Sequence, residues 1–295
     1  MTQLSVDTSD GRRLAVEEWG DPRGQPVFLF HGTPGSRLGP HPRGSVLYRH
    51  GIRLLAYDRP GFGGSKRHFG RTVADAADDV SAIAGTLGIE HFSVVGRSGG
   101  GPHALACAAL MPERVLRVSV LAGLAPRDAP GLDWLGGMTQ ANREDYAVAE
   151  SGLGPLTQWY ESRAAAARLN PASMMAHLDP HLPEVDRKVV SDSGIKEMLE
   201  SNFVEAFREG AAGWIDDTLA FLAPWGFDLD QIKAPVRLWH GAKDVFAPIS
   251  HSRWLAGRIR NAMLIAPHGA AHFSAVTELP QEISWVAAGG ILALE

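Results

Sequence analysis

The feature that most constrains the fold is a valine-rich strand that runs directly into Gly-x-Ser-x-Gly and then into an apolar helix. The segment Val94–His103 has the sequence VVGRSGGGPH. A strand-to-helix turn this sharp strains the residue at its apex, and Gly96 and Gly100 lack the Cβ atoms that would collide there. The pattern therefore predicts that Ser98 presents its hydroxyl at the end of a sheet, beside the positive N-terminus of the next helix. Pro102 suits the first turn of that helix, where its missing N–H is no loss.

A glycine-rich turn between a strand and a helix is also typical of phosphate-binding loops. The segment lacks the Lys-Ser/Thr pair of a P-loop and the acidic ribose partner of a dinucleotide site. A nucleophilic Ser98 is the preferred interpretation, and the phosphate-binding loop is the alternative.

Elsewhere, short apolar runs alternate with patterns of helical period. This alternation predicts an α/β fold with a mostly parallel central sheet and helices on both of its faces. The predicted strands are Leu14–Trp19 at a sheet edge, Val27–Phe30, Leu54–Tyr57, Phe92–Val95, Val115–Leu121, Val236–Trp239 and Ala262–Ile265. The predicted helices include one with Thr72 as N-cap that extends to Leu87, then Pro102–Leu110 and a closing helix Gln281–Leu294.

The stretch between Pro126 and Gln231 differs from the rest of the chain. It has helical patterns, for example at Leu199, Phe203 and Phe207, but no convincing buried strand. We interpret it as a helical cap inserted over one end of the sheet. The predicted organisation is a core formed by residues 1–125 and 232–295, with the cap at 126–231.

Composition limits the function classes. The chain carries 28 Lys and Arg against 33 Asp and Glu, and this formal charge of −5 disfavours a nucleic-acid partner. A single cysteine, Cys107, excludes an internal disulfide and fits a reducing compartment. Residues Met1–Asp10 do not resemble a signal peptide, and no apolar run has the length of a membrane span. We expect a cytoplasmic protein with a small-molecule substrate and no membrane partner. The oligomeric state, monomer or homodimer, is left open.

Five motifs in chain order make the sequence resemble the α/β-hydrolase superfamily, in its Ser-Asp-His, esterase-like branch with a helical cap. They are His31–Ser36 (HGTPGS), Asp58–Ser65 (DRPGFGGS), Gly96–Gly100 (GRSGG), His240–Asp244 (HGAKD) and Ala271–Ser274 (AHFS). The resemblance implies the α/β-hydrolase fold and a serine hydrolase that cleaves an ester, lactone or thioester.

The resemblance also implies a base and an acid to activate the serine, in the order Ser, Asp, His. Asp244 is the candidate acid because it follows a predicted strand in the usual loop, with Asp128 as the rival. His272 is the candidate base because it precedes Phe, although Ala271 replaces the usual glycine, and His268 is its rival.

A tetrahedral intermediate needs two preorganised donors for its oxyanion. One is expected to be the N–H of Gly99, the residue after the nucleophile. The resemblance points to the N–H of Thr33 as the other, and Pro34 has no N–H to offer. His31 is expected to brace this loop.

Two further residues are candidates for substrate binding. Arg97, beside the nucleophile, either favours an anionic substrate, braces the cap or pairs with a structural carboxylate. Trp159 belongs to a set of cap aromatics that predicts a mainly apolar pocket. No histidine pair has a convincing metal spacing, so neither cofactor nor metal is expected.

Other serine-dependent chemistries of the superfamily fit the same motifs: aminopeptidase, C–C bond hydrolase, perhydrolase, and biosynthetic cyclase or lyase. A serine at position 98 argues against the dehalogenases and epoxide hydrolases of the family, which use aspartate there. A non-catalytic receptor for small molecules on the same fold is the alternative from a different class.

Overall fold

The computed structural model describes residues 2–292 and contains one eight-stranded sheet. The strand order is β1-β2-β4-β3-β5-β6-β7-β8. β2 pairs antiparallel with β1 and β4, and all the other neighbours are parallel. The strands are β1 (Thr2–Asp7), β2 (Arg13–Gly20), β3 (Gln25–Phe30), β4 (Ile52–Tyr57), β5 (Phe92–Arg97), β6 (Val115–Leu121), β7 (Val236–Trp239) and β8 (Ala262–Ile265).

Helices cover both faces of this sheet, and others form the segment between β6 and β7. They are α1 (Gly44–Arg49), α2 (Ala76–Thr86), α3 (Gly100–Leu110), α4 (Gln140–Glu150), α5 (Leu153–Leu169), α6 (Ala172–Leu178), α7 (Glu184–Val190), α8 (Ser193–Ala206), α9 (Ala212–Leu222), α10 (Ser250–Arg258) and α11 (Ser274–Leu292). Alternate residues of β5 point to opposite faces. Val94 packs in a cluster with α2 and α3, whereas Val95 packs in a cluster with α1 and α11. The predicted architecture, a mostly parallel sheet between two helical layers, is confirmed.

Three local predictions need correction. The predicted edge strand Leu14–Trp19 lies inside the sheet as β2, because Thr2–Asp7 pairs along it as β1. The helix expected from Thr72 begins at Ala76. Asp75, just before it, bonds back to Thr72, since its Oδ2 accepts hydrogen bonds from the N–H and hydroxyl of Thr72 at 2.6 and 2.7 Å.

The closing helix, predicted as Gln281–Leu294, is longer at its N-terminal end. It begins seven residues earlier, at Ser274, and continues through Pro280. Residues 293–294 of the prediction lie outside the described residues.

Between β6 and β7 the described chain forms helices and turns but no strand. α4 to α9 lie here and build a second hydrophobic cluster that includes Leu156, Tyr160 and Phe203. The flanks of the segment behave differently, because Trp134 and Trp225 pack in the cluster of the sheet. Within residues 2–292, no helix combines the length and apolarity needed to cross a membrane.

Candidate active site

The turn between β5 and α3 holds Ser98 in a strained conformation. Its φ of 53° lies in the left-handed region, which few residues other than glycine adopt. Its backbone N–H donates to the carbonyl of Leu121 at 2.8 Å, which ties the turn to the end of β6. A Cβ on Gly96 would collide with the backbone of Gly100, and a Cβ on Gly100 would collide with the carbonyl of Phe30. The two glycines are therefore required by the close approach of these backbones.

Asp244 and His272 form a hydrogen-bonded pair. Nδ1 of His272 lies 2.8 Å from Oδ2 of Asp244. Oδ1 of Asp244 accepts the N–H groups of Phe246 and Ala247 at 2.8 and 3.0 Å, so the carboxylate is fixed by its own loop. Burial alone raises the pKa of Asp244, but the charge of His272 and the hydrogen bonds from His240 and His272 outweigh it. The pKa of Asp244 consequently lies well below its usual range, and the carboxylate stays ionised.

The rival acid and base lie elsewhere. Asp128 and His268 are both exposed. Neither of them lines the cavity that Ser98 and His272 share. The structure therefore brings Asp244 and His272 together beside the cavity of Ser98. Asp128 and His268 lie outside the lining of that cavity.

A cavity of about 150 Å³ covers the turn. The sheet side of its wall contains Thr33, Ser98 and His272, and the segment between β6 and β7 closes it with side chains such as Tyr160 and Trp214. Ser98 lines this cavity, and its hydroxyl makes no hydrogen bond to another group among the described residues. Catalytic hydrogen bonds are often long before a substrate binds.

The two expected oxyanion donors are neighbours at the wall of the cavity. A Cβ on Gly99 would collide with the side chain of Thr33, so the turn and the loop after β3 touch. Neither the N–H of Thr33 nor that of Gly99 donates to another described group. Two free amide donors beside a serine hydroxyl are able to bind an oxygen that carries negative charge.

A buried carboxylate, Asp217 of α9, holds the loop of Thr33. The hydroxyl of Thr33 donates to Oδ2 of Asp217 at 2.5 Å. Nη2 of Arg59 lies 2.5 Å from the same oxygen, and Nη2 of Arg71 lies 2.7 Å from Oδ1. Burial raises the pKa of Asp217, but the charges of Arg59 and Arg71 reverse this and hold the pKa far below its usual range.

His31 braces the same loop. Its Nδ1 lies 2.7 Å from the carbonyl of Gly32, and its Nε2 accepts the N–H of Arg59 at 3.2 Å. Burial and the charge of Arg59 hold the pKa of His31 well below its usual range, so the ring is neutral. With both nitrogens bonded to the backbone, His31 has no nitrogen left for the cavity.

Of the two residues proposed for substrate contact, only Arg97 lines the cavity. Trp159 is not among the side chains that line the cavity, and its contact with a substrate stays a prediction. Its Nε1 donates to Asp145 at 2.8 Å, and the guanidinium of Arg163 stacks over its ring at 4.5 Å. Trp159 instead fixes Asp145 and Arg163, which do line the cavity and pair with each other at 2.7 Å.

Several residues of the site carried no local signal in the sequence. Asp217 and the pair of Asp145 and Arg163 lie in helices whose patterns indicate only packing. Asp186 of α7 is a further case: its Oδ1 accepts the N–H groups of Phe273 and Ser274 at 2.8 and 3.2 Å, next to His272. Arg59 belongs to the motif Asp58–Ser65, and this motif is the one feature of the sequence that points to the group around Asp217.

The described part of the chain offers neither a metal cluster nor a reactive cysteine at this cavity. Residues 2–292 contain no group of three or more His, Cys, Asp or Glu side chains arranged to hold a metal ion. Cys107 is buried in α3 and does not line the cavity, and burial raises the pKa of its thiol well above the usual value. The thiol therefore stays protonated and unreactive.

A serine on a strained strand-to-helix turn, with an Asp–His pair at the same end of a mostly parallel sheet, defines the class of α/β hydrolases. The chain belongs to the α/β-hydrolase fold family, whose family model matches residues 25–279.

Among known proteins, the chain is similar to a putative carbamate hydrolase of Caulobacter sp. (strain K31), 29% identical over 276 residues that cover 92% of each chain. It is also similar to a bifunctional esterase/perhydrolase of Acinetobacter calcoaceticus, 27% identical over 277 residues that cover 92% of this chain and 94% of that protein. A solved structure of a thermophilic esterase from Thermogutta terrifontis shares the fold, with a TM-score of 0.69, 21% identity and 99% of each chain covered.

Proposed function

We propose that the protein is a serine hydrolase that transfers an acyl group to water through an acyl-enzyme. The observation that carries the proposal is the 2.8 Å contact between Asp244 and His272 at the wall that Ser98 also lines. Because Nδ1 of His272 donates to Asp244, its Nε2 carries the lone pair and acts as the base. The proposed acid, base and nucleophile are thus Asp244, His272 and Ser98.

In the proposed reaction, His272 takes the proton of Ser98 as the serine oxygen attacks the carbonyl carbon of the substrate. The alcohol leaves with that proton, and the serine ester remains. A water molecule then gives its proton to His272, attacks the ester carbon and releases the acid, while the serine oxygen recovers the proton. The ionised Asp244 stabilises the imidazolium at each stage.

The N–H groups of Thr33 and Gly99 are proposed to bind the oxyanion of each tetrahedral intermediate. They are free of other described partners and lie against each other at the cavity wall. Each donor of this kind lowers the barrier by about 2.7–4 kcal/mol.

The proposed substrate is a small carboxylic ester, lactone or thioester. A cavity of about 150 Å³ is below the range of about 300–1,000 Å³ that is typical of drug-sized ligands. Its apolar side chains, such as Met174 and Phe221, favour a mainly apolar acyl or alcohol group. The names of relatives, an esterase/perhydrolase and a putative carbamate hydrolase, are consistent with acyl transfer.

We further propose that residues 126–231 act as the cap of this site, on a core of residues 1–125 and 232–295. The second hydrophobic cluster, formed mainly by helices of this segment, supports the division. Its boundaries are less distinct, because Trp134 and Trp225 pack with the sheet.

The test is covalent labelling with a fluorophosphonate, read by mass spectrometry. The wild-type protein is expected to gain one phosphonyl group at Ser98, and Ser98→Ala is expected to gain none and to lose turnover of short p-nitrophenyl esters. Unchanged labelling of Ser98→Ala would contradict the nucleophile assignment. Tight binding of esters without any turnover or acyl-enzyme would favour the receptor alternative.

Matched pairs of variants test the other two roles. His272→Ala is expected to abolish turnover while His268→Ala leaves it near wild type, since His268 is exposed. Asp244→Asn and Asp128→Asn form the corresponding pair for the acid. A loss of activity in only the second member of either pair would reassign that role.

A further inference from the structure

Arg97 differs from the other buried arginines of the described chain in having no counterion. Each of the others pairs with a carboxylate at a nitrogen–oxygen distance of 2.8 Å or less. They are Arg12, Arg37, Arg59 and Arg71. A buried guanidinium is normally paired, because removing an isolated charge from water costs several kcal/mol.

Arg97 is only 7% exposed, yet its guanidinium makes neither an ion pair nor a hydrogen bond to any group in the described range. Burial lowers the pKa of Arg97 to about 10, and no carboxylate counteracts the shift. At neutral pH the side chain is still charged. The five N–H donors of an ionised guanidinium therefore lack protein acceptors.

The position of this guanidinium is next to the nucleophile. A methyl group on Gly32 would lie 3.3 Å from Nη2 of Arg97 and 3.5 Å from Cβ of Ser98, so the two side chains are neighbours across Gly32. Arg97 lines the cavity above Ser98. It also lines a second cavity of about 10 Å³, which has room for about one water molecule. Of these two cavities, the reaction cavity is the one with room for an anion larger than water.

The other charges at the cavity wall are already matched. Asp145 and Arg163, which both line the cavity, pair with each other at 2.7 Å. Among the described side chains that line the cavity, Arg97 is thus the ionised group left without a partner of opposite charge.

We propose that Arg97 binds a carboxylate of the substrate, so that the protein hydrolyses a small anionic ester or lactone whose carboxylate lies a few bonds from the scissile carbonyl. A planar guanidinium binds a planar carboxylate through two parallel hydrogen bonds, and it forms the strongest such contacts where water is excluded. The inference rests on the proposed function and adds the charge of its substrate.

The test compares monomethyl succinate and monomethyl glutarate with their neutral dimethyl esters. The measured quantity is the ratio of kcat/KM for the monoanion to kcat/KM for the diester. We expect this ratio to fall roughly 10- to 100-fold in Arg97→Gln, the size of effect of a lost hydrogen-bonded charge contact. Arg97→Lys keeps the charge and is expected to retain part of the preference. Arg127→Gln removes the same charge from an exposed pair with Glu150 and is expected to leave the ratio unchanged.

A second readout does not depend on activity. Because an unpaired buried charge destabilises the fold, Arg97→Gln without ligand is expected to melt at the wild-type temperature or above it. Succinate or glutarate is expected to raise the melting temperature of the wild type more than that of Arg97→Gln. A variant that melts several degrees lower, or fails to fold, would show that Arg97 is structural and would overturn the inference.

The two proposals fail in different ways. If neither ester is hydrolysed and the fluorophosphonate does not label the wild type, the proposed function is wrong. If the diesters are hydrolysed but Arg97→Gln leaves the ratio unchanged, the anion site is wrong and the hydrolase remains.

Discussion

Replacing Asp217 by asparagine tests whether one buried carboxylate supports both the stability and the activity of this protein. Asp217 balances the charges of Arg59 and Arg71 and accepts the hydroxyl hydrogen bond of Thr33. Asparagine keeps the size of the side chain but removes its charge. It also turns an NH₂ group toward one of the guanidinium groups.

The expected loss of stability is large because both arginines stay buried. Arg59 is 1% exposed and Arg71 is 6% exposed, so neither reaches water when its partner is neutralised. Removing one member of a buried ion pair costs about 3–5 kcal/mol, and we expect a loss in this range for Asp217→Asn. If Thr33 moves so far that its N–H no longer reaches the oxyanion, kcat is expected to fall by at most about 10²- to 10³-fold, the effect of losing one oxyanion donor. KM is expected to change less, since the oxyanion exists only during the reaction.

The assay is urea unfolding at neutral pH together with kcat and KM for a neutral p-nitrophenyl ester. The neighbouring residue supplies the control. Asp216 pairs with Arg67 at 2.8 Å, but that arginine side chain is 38% exposed and regains water when the pair is broken. Asp216→Asn is therefore expected to cost less stability than Asp217→Asn, because it leaves no guanidinium both buried and unpaired.

Two results would refute the reasoning separately. An unfolding free energy of Asp217→Asn within about 1 kcal/mol of wild type would show that the carboxylate does not balance the two buried charges. A destabilised variant with wild-type kcat would show that Thr33 keeps its position without Asp217.

Two further predictions concern titration and backbone packing. Burial lowers the pKa of His251 to about 4, and its Nδ1 accepts the N–H of Ala125. In the unfolded chain the His251 ring has its ordinary pKa of about 6.5, so it is protonated at a higher pH than in the folded protein. The folded protein therefore loses stability as the pH falls from about 6.5 toward 4, and the loss is about 2 kcal/mol at pH 5. His251→Gln should lose less between pH 8 and pH 5 in denaturant titrations, and an equal loss would contradict the assignment. Gly100→Ala should abolish activity and lower the melting temperature, because its Cβ meets the carbonyl of Phe30, whereas Gly85→Ala, with open space in α2, should add about 0.5–1 kcal/mol. Comparable stabilities of the two variants would argue against a tight turn.

The interior of the sheet could be predicted because its strands are short continuous apolar runs. The predicted bounds Val115–Leu121 and Val236–Trp239 agree with the interior strands β6 and β7. Parallel strands buried on both faces leave this signal, and turn residues mark their ends. The edge strand β8 also has its predicted bounds, Ala262–Ile265, because it too is a continuous apolar run. The edge strand Thr2–Asp7 is not such a run, and most of its side chains are exposed.

The parts of the site that a contiguous segment forms could also be predicted from the sequence, whereas contacts between distant residues could not. The turn at Ser98 is a local pattern, because strand, glycines and helix are contiguous. The pairing of Asp244 with His272 required the family resemblance, and the structure places these side chains in contact, while their catalytic roles stay predictions. The hydroxyl of Thr33 accepts from nearby Arg59, but it donates to Asp217, which is 184 residues away in a helix whose apolar pattern indicates only packing. A single sequence contains no signal for a contact of this kind.

The two carboxylates that the sequence did not reveal give the segment between β6 and β7 a specific place in the site. Asp217 holds the loop that contains Thr33, and Asp186 accepts the N–H groups of Phe273 and Ser274 just after His272. Each contact joins this helical segment to chain that follows a sheet strand: Thr33 follows β3, and Phe273 and Ser274 follow β8. A cover that only excluded water would need apolar contacts, and buried carboxylates would destabilise it. Because Asp217 bonds Thr33 and Asp186 bonds the two residues just after His272, the positions of the proposed oxyanion donor and base depend on the segment above them.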